Sequence, residues 1–380
     1  MEVKCTLKSP IFIGCGEEYS QLDYFIDKDN KIANIVDLEK AISDLDDLKK
    51  VDEISRLIIQ NTVNTKVDVD AKKVLEGIGL NPEDYVIKKI KCEIKSTSKT
   101  RVKKFISQNN SYYIPGSSIK GAIRTAYIFN YYDRNFDKLV NILKGKGNKG
   151  KKVVEDSIGK IHEDFFKYLK ISDSLDLDGE FRFIHTRRWS VKRDGRPKVP
   201  TDIEGMVKGT FLIDIKIEDE FFKNINKKLK TNYNPKDDEE KFNILKDLCN
   251  SMAKTVVEFE LEREKRNKNR LYVEMFYQQL LNEINNNNAL YLNLGFGGGF
   301  LNKTIYPLLW KHDKNNRNFN WIREIFINLA GNPKLRKAWE KARTYLDFPT
   351  TRTFYSTYSP KDGKVIPQKP LGWIKIEMVE

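Results

Sequence analysis

Cysteine is scarce in this chain, and what there is forms no pattern. Cys5, Cys15, Cys92 and Cys249 are the only four, far apart and without any Cys-x-x-Cys spacing. This argues against a disulfide framework and against a structural zinc site. A chain of 380 residues has core enough without staples, so a reducing cytoplasm is the expected compartment. Histidine is scarcer still: His162, His185 and His312, none in a His-Glu-x-x-His arrangement. No window approaches the roughly 18 apolar residues of a membrane span. The opening Met1-Glu2-Val3-Lys4-Cys5 lacks the apolar run of a signal peptide. No membrane partner, metal or cofactor is expected.

Acid is in deficit. Lys and Arg number 68 against 54 Asp and Glu, a net charge of +14 and a pI near 9.3. A surplus of that size favours a polyanionic partner, because each neutralised phosphate releases counterions. The alternative is a uniformly lysine-rich surface with no such partner. Apolar residues make up 39% and charged residues 32%, a globular rather than a disordered composition. The length suits two domains, or one with insertions.

Residues 2–13 read as a strand ending at Gly14-Cys15-Gly16. Residues 37–80 read as helical, with Ile54, Leu57, Ile58 and then Val74, Leu75, Ile78 at helical spacing. Strands are expected at 85–94, 101–107, 180–191, 207–217, 291–294 and 372–379, with a turn at Asn109-Asn110-Ser111. Residues 144–152, rich in Lys and Gly, read as a mobile loop, and 237–284 and 302–346 as mostly helical. Adjacent strand pairs interspersed with helices predict an α+β fold with ferredoxin-like antiparallel sheets. The first strand and the helix at Ser117 are expected to complete a sheet whose other strands follow residue 180.

Three segments carry possible chemistry. In Pro115-Gly116-Ser117-Ser118-Ile119-Lys120-Gly121-Ala122-Ile123-Arg124, Pro and Gly break a strand and Ser117 can cap a helix. Lys120 and Arg124 stand at i, i+4, opposite the apolar stripe Ile119, Ala122, Ile123, Ala126, Tyr127. They could bracket a phosphodiester at a helix N-terminus, or be two solvated cations. Ala122 and Ile123 stand where a P-loop has Lys and Ser/Thr, so nucleotide hydrolysis is unsupported. The second segment, Gly295-Phe296-Gly297-Gly298-Gly299, is read as open to close approach by another chain, with Phe296 free to stack on a base. Its alternative is a flexible connector. Phe300 denies it the dinucleotide fingerprint. The third is a ribbon holding Arg182, Arg187, Arg188, Lys192, Arg193, Arg196 and Lys198 with Trp189 among them. Cations interleaved with an aromatic suit single-stranded RNA, unless the ribbon is merely solvated. His185 is the candidate general base and Asp23 the candidate metal-binding acid, each more commonly structural.

The string Ile114–Arg124 resembles the Ile-Pro-Gly-Ser-Ser-x-Lys-Gly-Ala-Ile-Arg signature of the RAMP superfamily, RNA-binding proteins of CRISPR systems. Gly295–Gly299 is similar to that superfamily's glycine-rich loop. Ile13-Gly14-Cys15-Gly16-Glu17-Glu18-Tyr19-Ser20-Gln21-Leu22-Asp23-Tyr24 and the closing Pro370-Leu371-Gly372-Trp373 resemble one branch, the fifth subunit of type III-A Csm complexes. The resemblance implies RRM-like domains: residues 1–135 with a helical insertion at about 37–80, a variable linker or insertion at 136–178, and 179–380 with the glycine loop. It implies a non-catalytic subunit that binds guide RNA (crRNA) and caps the 3′-end side of the complex. Its partners would be crRNA, target RNA, the repeated backbone RAMP subunit and host ribonucleases, in antiviral defence. The RNA-binding set would be Gly116, Ser117, Ser118, Lys120, Arg124, Arg187, Arg188, Trp189, Lys192, Gly295, Phe296, Gly297, Gly298, Gly299 and Lys303. The alternative is a RAMP endoribonuclease that processes precursor crRNA through His185 or cuts target RNA through Asp23. Asp23 lies far before Pro115, whereas the cutting aspartate of the backbone subunit lies close to its own motif. Residues 136–178 and 218–290 carry none of these motifs.

Overall fold

A computed structural model describes residues 1–45, 52, 55, 56, 59, 70–94, 101–191, 196–267, 270–286, 288–359, 361 and 363–379. Ile54, Leu57 and Ile58 lie outside them, as do Lys192 and Arg193. The strands are β1 Glu2–Leu7, β2 Gly14–Tyr19, β3 Tyr24–Asp27, β4 Ile32–Val36, β5 Val86–Cys92, β6 Val102–Phe105, β7 Ser107–Gln108, β8 Ser111–Tyr112, β9 Leu169–Ile171, β10 Leu175–Ser190, β11 Pro197–Ile217, β12 Leu290–Asn293, β13 Thr351–Tyr358, β14 Val365–Pro370 and β15 Trp373–Met378. The helices are α1 Leu38–Ser43, α2 Ala71–Gly77, α3 Gly116–Arg134, α4 Phe136–Lys144, α5 Lys149–Ile158, α6 Asp219–Leu229, α7 Asp238–Glu264, α8 Leu271–Asn286, α9 Gly299–Asn302, α10 Tyr306–His312, α11 Phe319–Leu329 and α12 Pro333–Lys341.

One path through the main sheet runs β12-β15-β1-β11-β10-β5-β4-β3. In chain order β1, α3, β10, β11, α7 and β15 spell β-α-β-β-α-β. Their strands lie side by side as β15-β1-β11-β10, all antiparallel. This is the ferredoxin-like arrangement expected from the sequence. β1 sits between the two distant halves: Val3 pairs with Ile213 of β11 and with Met378 of β15. Val3 and Cys5 have no exposed surface, as the inward side of a central strand should. α3 turns Ile119, Ile123, Ala126 and Tyr127 into the same core and lies against α7.

β3, β4 and β5 extend the sheet. α1 and α2 pack on them over a small separate core of Phe25, Val36, Val74, Leu75 and Ile78. The helical reading of 71–77 therefore holds.

Two readings change. Residues 136–178 are no bare linker, since Leu139, Leu143, Ile158, Phe165 and Phe166 belong to the main core. The expected mobile loop at 144–152 gives way after Gly147: Asn148 caps α5 by accepting from the Lys151 N–H at 3.0 Å. Strands β13 and β14 were not expected from the sequence at all.

Candidate nucleic-acid interface

The motif helix starts two residues earlier than a Ser117 cap suggests. Pro115 occupies the N-cap position and offers no side-chain bond. The Gly116 N–H donates instead to Asp173 Oδ1 at 2.8 Å, so a carboxylate already occupies part of the positive helix end. Gly116 is glycine for a steric reason. A Cβ there would lie 2.4 Å from the carbonyl oxygens of Ile171 and Ser172. Both facts weigh against phosphate at the helix tip.

The flank of α3 is different. Ser117 and Gly121 are exposed; Ser118, Lys120 and Arg124 are half-buried. Arg124 is engaged within the chain: it pairs with Asp164 and lies 5.4 Å over the Phe166 ring. Lys120 has no ion-pair partner among the described residues. Burial and then the nearby Arg124 charge lower its pKa from the ordinary lysine value. A site that disfavours its own cation is relieved by an anion. Gly121 meets nothing within 4 Å of where a Cβ would stand, and its φ is not in the left-handed region.

The glycine loop is packed against its own chain, contrary to the reading that leaves it open to another. A Cβ on Gly295 would lie 2.2 Å from Phe12 O, one on Gly297 2.6 Å from Leu371 Cβ, one on Gly298 2.0 Å from Asn293 Oδ1, and one on Gly299 2.5 Å from Arg352 Nη1. The Phe296 N–H donates to Phe12 O at 2.8 Å, and the Phe296 ring stands edge-on to Phe12 at 5.9 Å. Phe296 is thus committed to its neighbours. Lys303, just beyond, is exposed.

Beneath the loop lies a buried ion cluster that the charged run at 260–270 did not disclose. Arg352 donates to Gly298 O at 3.1 Å and pairs with Glu260 at 2.5 Å. Arg263 holds the other Glu260 oxygen at 3.0 Å and donates to Pro349 O at 3.0 Å. Arg270 lies 3.0 Å from Glu264, without aligned hydrogen bonds at either group. Burial raises the Glu264 pKa to about 7, although Arg270 pulls it down.

On the β10–β11 ribbon, Arg188, Arg196 and Lys198 are exposed. Trp189 is not: it is 4% exposed and donates to Ser356 Oγ at 3.2 Å, so it is a core residue that offers no face to a base. Arg182 is tied to Glu93 and Glu180 at 2.9 and 3.0 Å. His185 is 5% exposed and placed between two charged groups. Its Nδ1 lies 2.6 Å from Asp202 Oδ1, and its Nε2 accepts from Arg187 Nε at 2.8 Å. With the one lone pair engaged and the one proton on Nδ1, the ring is not poised as a general base. Asp23 closes a local turn, its Oδ2 accepting from the Ser20 N–H at 2.5 Å. Among the described residues no three His, Cys, Asp or Glu side chains gather as metal ligands, and no helix is long and apolar enough to cross a membrane.

Asp164, Asp173, Asp202 and Arg352 were not singled out in the sequence. Each meets a motif residue 17 to 57 positions away, and no local spacing announces such a meeting.

This constellation of signature helix, glycine loop and βαββαβ sheet defines a class. The sequence profile of the RAMP superfamily matches residues 4–302, and the chain belongs to that superfamily. Within it the chain falls in the Csm5 branch. A Methanocaldococcus jannaschii protein described as CRISPR system Cms protein Csm5 is 62% identical over 386 residues, covering 100% of this chain and 89% of the relative. A Streptococcus thermophilus protein of the same description is 25% identical over 191 residues, covering 48% of this chain and 53% of the relative. In fold, the chain matches one from a cryo-EM structure of a type III-A Csm–crRNA–target RNA ternary complex. That match has a TM-score of 0.73 and 22% identity, and covers 99% of this chain and 100% of the other. It also matches the crystal structure of T. onnurineus Csm5, with TM-score 0.65, 20% identity and coverage of 98% and 99%.

Proposed function

We propose that the chain is a non-catalytic crRNA-binding subunit that caps the 3′-end side of a type III-A Csm ribonucleoprotein. The flank of α3, exposed Ser117 and Gly121 with half-buried Lys120, lies against the RNA backbone. Its partners are crRNA, target RNA and other Csm subunits, foremost the repeated backbone RAMP subunit; its roles are support of crRNA maturation and antiviral defence. The family relationship and the net charge support this reading. Gly121 is the observation that carries it. A glycine inside a helix costs about 1 kcal/mol relative to alanine. Gly116 and the loop glycines are explained by contacts within the chain, whereas Gly121 faces open space beside Lys120, which has no ion-pair partner among the described residues. A missing side chain with no internal use fits the close approach of another backbone.

The test uses purified full-length protein and labelled single-stranded guide RNA, with binding and cleavage scored on one gel in magnesium or EDTA. Gly121→Ala is expected to stabilise the fold by roughly 0.5–1 kcal/mol yet weaken RNA binding. Gly121→Glu should weaken binding further, and Lys120→Ala should do so with a reduced salt dependence. Unchanged binding by Gly121→Glu would overturn the placement. Cleavage of the RNA in either buffer would overturn the non-catalytic reading in favour of a nuclease.

A further inference from the structure

Arg187 is held in an unusual way. Asp202 accepts from His185 Nδ1 at 2.6 Å, and His185 Nε2 accepts from Arg187 Nε at 2.8 Å. Tyr358 stacks on the imidazole at 5.3 Å between ring centroids, with the planes 27° apart. β10 and β11 set this row by register, since His185 faces Asp202 and Arg187 faces Pro200. An arginine Nε–H is always a donor, so Nε2 must be the acceptor and Nδ1 must carry the proton. The buried carboxylate therefore fixes the imidazole, and the imidazole fixes the guanidinium at its inner edge. The two terminal nitrogens of half-buried Arg187 make no hydrogen bond or ion pair among the described residues. Arg182, a few residues earlier on β10, is neutralised by Glu93 and Glu180. Arg187 alone of the two keeps its fork open.

We propose that Arg187 is a pre-oriented anchor for one RNA phosphate, with His185 and Asp202 as its positioning residues. A guanidinium matches a phosphodiester with two parallel donors. Holding it by Nε removes the rotamer entropy that an unsupported arginine loses on binding. The buried histidine of the ribbon thus has a function, though not that of a base: it aims a cation. The same ribbon carries exposed Arg188, Arg196 and Lys198, cations of the same sign. This inference rests on the RNA-binding reading above but uses a different surface from α3, so the two can fail separately.

The experiment measures binding of full-length protein to labelled single-stranded RNA across a salt series. The RNAs carry a neutral methylphosphonate at one linkage at a time. Arg187→Gln is expected to weaken binding roughly tenfold and to reduce the slope of log affinity against log salt by about 0.7, one phosphate contact. At one linkage the methylphosphonate should weaken wild type but not Arg187→Gln. Arg187→Lys, which keeps the charge but not the Nε-held fork, should resemble Arg187→Gln. His185→Phe keeps a ring against Tyr358 but removes the acceptor; it should lose the effect at that same linkage while other linkages respond as in wild type. Binding by Arg187→Gln within twofold of wild type, with unchanged salt slope, would overturn the anchor. Arg187→Lys binding as wild type would overturn the role of the fixed fork, even if His185→Phe proved unable to fold. If the Gly121 and Lys120 variants lose RNA while Arg187→Gln does not, the α3 reading stands and this one falls.

Discussion

At the scale of single residues, the least expected feature is charge without water. Glu260, Arg263, Glu264, Arg270 and Arg352 are all within 3% of full burial. Glu264 shows the cost. Its pKa in the folded chain is about 7 against an ordinary 4.5, so the folded state keeps a proton that the unfolded chain has already released. Stability from this group is therefore complete below the unfolded pKa and declines as pH rises from about 4.5 to 7. The total loss is about 3 kcal/mol. Glu264→Gln cannot ionise and should escape the decline. Thermal melts from pH 4.5 to 8 should show the variant gaining on wild type up to about pH 7 and holding its advantage above. A gap that stays constant with pH would mean the carboxyl is ionised throughout. None of this was readable in the sequence. A helical run of Glu and Arg looks the same whether it faces solvent or a distant arginine, and Arg352 enters from nearly ninety residues away.

At the scale of elements, α3 shows what sequence patterning does and does not convey. Its buried stripe of Ile119, Ile123, Ala126 and Tyr127 was legible, because helical spacing records which face is apolar. Its start was not, because the cap comes from Asp173 in another segment. Asp173→Ala should cost about 1 kcal/mol of stability, as loss of a side-chain cap does. By removing an anion near the proposed RNA surface, it should also tighten RNA binding at low salt. Melting and binding measured on the one variant would move in opposite directions; weaker binding with lower stability would mean that Asp173 serves the RNA site. β13 and β14 escaped notice for equally local reasons. The inward positions of β13 include Arg352 and Ser356, so no apolar alternation marks it. Pro367 and Pro370 interrupt β14, as suits a strand bonded on one side only. The glycine loop was found but misread: four glycines in five residues advertise close approach, and here what approaches is mostly the protein's own Phe12, Leu371, Asn293 and Arg352.

At the scale of the whole molecule, the α+β class and the sharing of a sheet between the first strand and later ones were legible, because the strands carry apolar alternation. The division at 136 and 178 is not reflected in the packing, since the main core takes residues from both sides of each boundary. A fragment of residues 1–135 would contain β1 and α3 without β11 and β15, the partners on both edges of β1. It is expected to lack slow-exchanging amides in β1, and hydrogen exchange on the fragment would check this. Protection there equal to that in the full chain would show the N-terminal part to be a self-sufficient domain.

The place of β1 also bears on how the molecule is made. One of its neighbours is translated after some two hundred residues and the other only after residue 372. At 5–20 residues per second, that wait is roughly 20–70 s. During it, one edge of the first strand has no partner, and its buried positions Val3 and Cys5 are uncovered. The ribosome thus delivers the keystone of the sheet long before its last support. Protection of that edge in the interval falls to whatever meets the nascent chain.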